Sequence, residues 1–155
     1  MDETNVDLDS IGNYSYAKKG SKHVPGATCG HEKAKISIAV TVSANGYVLP
    51  AMVIIPRKTP LPNYIPPNNV IVQYKENSKT FDSDVISNGV LQRIIYPQIL
   101  VNNQQNPLLI MDSAPCHKTK EVRDKCEEYG INLLLIPPRM TQLVQPCDVS
   151  IFKVN

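Results

Sequence analysis

Residues 35–43, KISIAVTVS, alternate apolar and polar positions with the two-residue period of a half-buried strand. Asn45-Gly46 follows, a dipeptide that tolerates the positive φ angles of a tight hairpin turn, and residues 47–55, YVLPAMVII, supply a returning strand. Residues 56–69 hold five of the thirteen prolines, which removes backbone donors and sends this segment over the surface. Residues 70–74, VIVQY, read as a short strand. Asp82 or Ser83 can cap a helix whose apolar residues Val85, Ile86, Val90, Ile94 and Ile95 fall near helical spacing, and which Pro97 bends or ends. Residues 107–111, PLLIM, are apolar without alternation, the pattern of a strand covered on both faces. Residues 118–130 read as an amphipathic helix stopped by Gly130, and residues 131–137, INLLLIP, as a second buried strand. Residues 140–152, MTQLVQPCDVSIF, lead toward a final helix. Residues 1–34 are polar and Gly-rich and enter this order without an element of their own.

Two buried strands joined by a helix make a βαβ unit, so the expected class is α/β with a mixed sheet in one domain spanning residues 1–155. Such sheets gather ligands at the carboxyl ends of their strands. Asp112 stands at such an end.

Composition changes this picture little. With 42% hydrophobic and 19% charged residues the chain is globular in character, and a net charge of +2 argues neither for nor against a nucleic-acid partner. Cys29, Cys116, Cys126 and Cys147 form no CxxC pair and no zinc-type spacing with histidine, so they read as reduced thiols of an intracellular protein. No apolar run approaches the roughly 20 residues of a membrane span, so no membrane partner is expected. His31 lies two residues after Cys29, but two ligands on one loop do not make a metal site.

The acids carry more. Asp2, Asp112 and Asp148 stand at element ends in comparable positions, and three carboxylates on separate elements suit a pair of hard divalent cations about 3.5–4 Å apart. Asp2 and Glu3 are neighbours, so on a strand only one of them faces the site; Asp2 is taken as that one. Asp7 and Asp9 read as solvated turn residues. Each acid also has a plain structural reading: Asp112 as a turn or cap residue before Ser-Ala-Pro, Asp148 as a first-turn helix acid, Asp2 as a frayed end.

The stretches MDET (1–4), AKKGSKHV (17–24), NGYVLPAMVIIPRKTP (45–60), LLIMDSAPCHKTKEV (108–122) and LLLIPPRMTQLVQPCDVSIFK (133–153) together resemble the pogo/Tigger/Jerky group of DDE transposases. The resemblance covers nearly the whole chain, with its motifs in order and thirty-five residues between Asp112 and Asp148. It implies an RNase H-like, retroviral-integrase-like fold that acts on transposon ends and target DNA with two Mg²⁺ (or Mn²⁺) ions. It implies Asp2, Asp112 and Asp148 as catalytic metal ligands, His117 in a supporting role, a nuclear location, and a homodimer in the full-length protein. Against that pattern the strand expected before Asp2 is missing and the last helix is cut soon after Asp148. The chain therefore reads as a fragment, and a domesticated or decayed remnant that only binds nucleic acid stands as the alternative function.

Lys18, Lys19, Lys22, Arg57, Lys58 and Arg139 are the candidates for contacting DNA phosphates; the same charges also fit an ordinary solvated surface. No aromatic residue is interleaved with them, so stacking on single-stranded bases is not expected.

Overall fold

The computed structural model describes residues 1–8, 18–22, 35–76, 80–140, 145–147 and 151. Strand β1 (Asp2–Asp7) pairs antiparallel with β2 (Lys35–Val40) over six residue pairs, from Asp2↔Val40 to Asp7↔Lys35. This strand corrects the sequence reading, which assigned none before Lys35. Its polar side chains hide it from any apolar pattern, yet β2 answers them: Ser37 Oγ donates to Asn5 Oδ1 at 2.7 Å, and Lys35 pairs with Asp7 at 2.8 Å. Met1 and Asp2 are buried rather than frayed.

The hairpin forms as expected. Gly46 (φ +88°) donates to the Ser43 carbonyl at 2.9 Å, Ser43 N–H donates to the Tyr47 carbonyl at 2.8 Å, and β3 (Ala51–Ile55) returns antiparallel to β2. The proline-rich segment crosses the surface and delivers β4 (Val70–Tyr74) parallel to β3. The result is a mixed four-stranded sheet in the order β1-β2-β3-β4.

Asp82 caps the long helix: its Oδ1 accepts from Val85 N–H at 3.1 Å. Residues Val85–Ile95 are wound as a π-helix, and the chain then tightens into α1 (Tyr96–Val101). Pro97 does not end the helix. It stands within a continuous helical run, at the point where the π winding gives way to α. The apolar face Val85, Ile86, Val90, Leu91 and Ile94 packs on Met52 and Ile54 of the sheet. Gly89 permits this approach, since a Cβ there would stand 3.0 Å from Met52 Cε and 3.3 Å from Gln73 Oε1.

The second half is the predicted βαβ unit. β5 (Leu108–Asp112) and β6 (Asn132–Ile136) pair in parallel, in register from Leu108↔Asn132 to Asp112↔Ile136. Helix α2 (Lys120–Glu128) joins them, with Val122 and Cys126 buried. Gly130 (φ +65°) closes α2: its N–H donates to the Glu127 carbonyl while Ile131 N–H reaches back to Cys126 O at 2.8 Å. One expectation fails here. Neither strand is covered on both faces, because Leu108 is 60% and Leu134 49% exposed while Leu109 and Met111 are buried. The expected final helix falls almost wholly outside the described residues.

Among the described residues the two sheets share no ladder, but they meet at β1 and β5. Met1 N donates to Ile110 O at 2.9 Å, and two residues further along, Glu3 reaches Asp112 through His117. β1 and β5 therefore advance in the same direction. By the pairings above, β2 is the one described strand that runs against the others. The carboxyl ends of β3, β4, β5 and β6 consequently share one edge of the molecule.

Two substitutions test the helix-on-sheet approach. Gly89→Ala should change the unfolding free energy by no more than about 1 kcal/mol, because the helix-propensity gain offsets a small displacement of two flexible side-chain ends. Gly89→Leu should cost about 1–3 kcal/mol by overpacking. Urea unfolding checks both, and an unaffected Gly89→Leu midpoint would contradict the packing described.

Candidate metal centre

β5 delivers Asp112 to an open edge because its alternate residues, Leu109 and Met111, are anchored in the core. The chain then turns at once. Asp112 Oδ1 accepts from Ala114 N–H at 3.0 Å, and Pro115 opens a 3₁₀ turn over Pro115–Lys118. The turn carries His117 back beneath the acid, its own N–H bonded to Ala114 O at 3.1 Å. Thr119 then caps α2, accepting from Val122 N–H at 3.4 Å. The turn reading of Asp112 is borne out, since its carboxylate holds the bend after β5.

His117 is fully buried, with 0% of its side chain exposed. Its Nε2 lies 2.7 Å from Glu3 Oε1. Its Nδ1 lies 3.1 Å from the Asp112 carbonyl oxygen and 2.7 Å from Asp112 Oδ1. Burial by itself disfavours the charged ring, but the Glu3 carboxylate, through its hydrogen bond and its charge, and then Asp112 outweigh that. The pKa is pushed up to about 9. The raised pKa favours the charged ring, which donates from Nε2 to Glu3 and from Nδ1 to the Asp112 carbonyl oxygen and so links β1 to the end of β5.

The structure brings Asp2 and Asp112 into one neighbourhood. Burial lowers the pKa of the Met1 amino group, while Cys147, Asp2, Glu3 and Asp112 each pull it upward, so all four lie within electrostatic reach of it. Asp2 is 7% exposed, and its Oδ1 accepts from Glu3 N–H at 2.9 Å. The strand pleat separates Asp2 from Glu3, and it is Glu3 that touches His117. Asp148 lies outside the described residues. Its chain neighbour Cys147 is buried, with its Sγ 3.9 Å from the carbonyl oxygen of Val40, the residue paired with Asp2. Gln145 Nε2 reaches Met1 O at 3.5 Å.

The basic candidates are all exposed. Lys18, Lys19 and Lys22 sit on and beside the turn at Gly20. Arg57 and Lys58 follow the carboxyl end of β3, where Lys58 pairs with Glu76 at 3.6 Å. Arg139 follows β6 with a positive φ of 70°. Arg57, Lys58 and Arg139 therefore leave from the edge that also presents Asp112.

Glu3, Asp112 and His117 each offer one ligand atom, all within 4.8 Å of one another. The donor set fits a hard divalent cation through its carboxylates. Asp112 Oδ1 is engaged by Ala114 and His117, whereas among the described residues no hydrogen bond reaches its Oδ2, and the side chain is 29% exposed. His117 fits less well as a ligand, since both ring nitrogens are committed and the ring is covered. Glu3 is not among the acids that the sequence reading selects. A signal for it exists, because MDET offers two acids, but only β1's contact with the turn after β5 decides between their partners.

A family model described as DDE superfamily endonuclease matches residues 33–154, a span that holds Asp112, His117 and Asp148 but not Asp2 or Glu3. The chain is 25% identical over 154 residues to a mouse protein, "Pogo transposable element with KRAB domain", and 26% identical to the human protein of the same name. Each alignment covers 98% of this chain and 24% of the relative, so the chain spans about a quarter of the length of these proteins. No solved structure matches it. A match over most of the chain places the protein in the DDE superfamily of endonucleases.

Proposed function

We propose that the domain adopts the RNase H-like arrangement of a DDE transposase and cleaves and joins DNA with two divalent ions, Mg²⁺ or Mn²⁺. Asp2, Asp112 and Asp148 would hold the ions. The observation that carries this reading is Asp112 itself: a partly open carboxylate at the carboxyl end of a buried strand, beside the strand that bears Asp2, in a member of this family. The single antiparallel strand, β2, among otherwise co-directional ones supports the fold assignment.

Ions held there would supply Lewis acidity toward a phosphoryl oxygen and an acidified water at neutral pH. The chain's own contribution is placement. β5 and the turn after it fix Asp112, and β1 fixes Asp2, so the charge needed to bind cations stands ready before DNA arrives. In the reaction water adds to phosphorus and the 3′-oxygen departs, taking up a proton to become a free hydroxyl. That hydroxyl then attacks a target phosphodiester and displaces the next 3′-oxygen. Lys18, Lys19, Lys22, Arg57, Lys58 and Arg139 would neutralise backbone phosphates. DNA as substrate points to action in the nucleus, and two transposon ends to a homodimer.

Three outcomes are expected. Asp112→Asn should lower Mg²⁺-dependent nicking of a supercoiled plasmid by roughly a thousand-fold or more, the scale on which a fixed group stabilises developing charge; unchanged nicking removes the proposal. DNA binding without cleavage by the unaltered protein would favour the non-catalytic alternative. Replacing Lys18, Lys19 and Lys22 together with alanine should flatten the salt dependence of DNA binding, by about 0.9 in log–log slope for each phosphate no longer neutralised. An unaltered slope would leave these lysines as ordinary surface.

The third concerns pH. The folded pKa of His117 is raised from 6.5 to about 9, so its stabilisation is complete below pH 6.5 and is lost as pH rises through 9. Roughly 3 kcal/mol is at stake at about 1.4 kcal/mol per unit. Urea midpoints recorded from pH 6 to pH 9 should fall for the protein and stay flatter for His117→Asn; parallel profiles would show that the ring is not charged.

A further inference from the structure

We infer that His117 is a positioning residue for the metal centre: its Nδ1 side fixes the Asp112 carboxylate while its Nε2 side ties that carboxylate, through Glu3, to β1. The inference rests on the function proposed above and assigns two residues that the acid triad leaves out.

Geometry carries it. The side chain of Asp112 stands at the last position of β5, where the ladder to β6 ends, so the strand alone does not hold its carboxylate in one orientation. Two contacts do, and both fall on the same oxygen: the Ala114 N–H bond at 3.0 Å and the ion-pair contact of His117 Nδ1 at 2.7 Å from Oδ1, while the Nδ1–H itself bonds the Asp112 carbonyl oxygen. Oδ2, which no hydrogen bond from a described residue reaches, is thereby left as the ligand atom. The ring is in turn held at both ends, by the Asp112 carbonyl oxygen at 3.1 Å and by Glu3 Oε1 at 2.7 Å, with no part of it exposed. Glu3 belongs to β1, next to Asp2, whose Oδ1 is itself bonded to Glu3 N–H. A shift of Glu3 would therefore be felt at Asp2 and, through the ring, at Asp112. Groups that orient a ligand in this way typically carry a 10- to 100-fold share of metal affinity.

The two nitrogens can be separated by substitution. The amide nitrogen of asparagine takes the place of Nδ1, and that of glutamine the place of Nε2. His117→Asn keeps the bond to Asp112 and drops Glu3; His117→Gln does the reverse. Mn²⁺ binding measured by calorimetry without DNA is the primary readout, beside thermal unfolding of each variant. His117→Gln should weaken Mn²⁺ binding about 10-fold or more, His117→Asn markedly less, with both melting at similar temperatures. Glu3→Gln, which still accepts from Nε2, should bind Mn²⁺ like the unaltered protein, and Glu3→Ala, which cuts the same link as His117→Asn, should match that variant.

Equal Mn²⁺ affinity in His117→Gln and the unaltered protein overturns the inference, as does a loss that follows the melting temperature across the series. A nitrogen coupling from His117 to bound Mn²⁺ in pulsed electron resonance overturns it too, by making the ring a ligand. Asp112→Asn separates this from the broader proposal. If the unaltered protein binds Mn²⁺ and Asp112→Asn does not, the metal centre stands whatever His117 does; if the unaltered protein binds no Mn²⁺, both readings fail.

Discussion

His117 is buried with a carboxylate from a different strand at each ring nitrogen, and this pairing, which favours the charged ring, shapes the candidate site. The ring has no exposed surface, and its two nitrogens face carboxylates from different strands. Removing one partner would leave an uncompensated buried charge, a situation that typically costs several kcal/mol. Glu3 and Asp112 therefore cannot drift apart independently. This ion pair and the Met1 to Ile110 hydrogen bond are polar links between the four-stranded sheet and the β5–β6 pair, which share no ladder among the described residues but do share an apolar core in which Leu109 and Met111 are buried with Met52 and Ile54.

The same constraint explains why acids tolerate this location before any cation is bound. Asp2, Glu3 and Asp112 crowd round the start of β1, and like charges so placed repel. His117 supplies one positive charge on the buried side. A divalent ion would supply the remainder from the side on which the Asp112 carboxylate is partly exposed. The arrangement is poised: neutral enough to fold, acidic enough to bind.

Much of the fold could be read directly from the sequence. Asn45-Gly46 between two alternating runs, Asp82 ahead of the helical spacing from Val85, and Gly130 after the amphipathic run each encode a local backbone requirement, and each forms as expected. Asp112 was identifiable for the same reason, as an acid ending an apolar run. Strand β1 was not, since its stabilisation is non-local: Asn5 and Asp7 are satisfied by Ser37 and Lys35, which lie far along the chain. The exposure of Leu108 and Leu134 was equally illegible, because an apolar run reports what a strand prefers, while the cover depends on which elements reach its outer face. Of the two readings of Pro97, ending the helix fails, while the change from π to α winding falls beside it.

The choice between Asp2 and Glu3 shows where sequence reasoning stops. Alternation along a strand does put two successive acids on opposite faces, and that premise holds. What it leaves open is whether each face has its own partner. Here the turn after β5, fixed by Asp112, Ala114 and Pro115, lifts His117 to meet Glu3, and burial of Gln145 and Cys147 near Met1 and Val40 closes the side of Asp2. Two neighbouring acids thus have two surroundings, Glu3 the buried ring of His117 and Asp2 the side closed by Gln145 and Cys147. A motif with a single acid at this point could meet only one of them, and without Glu3 the ring beside the carboxylate at the end of β5 would lose its partner on β1.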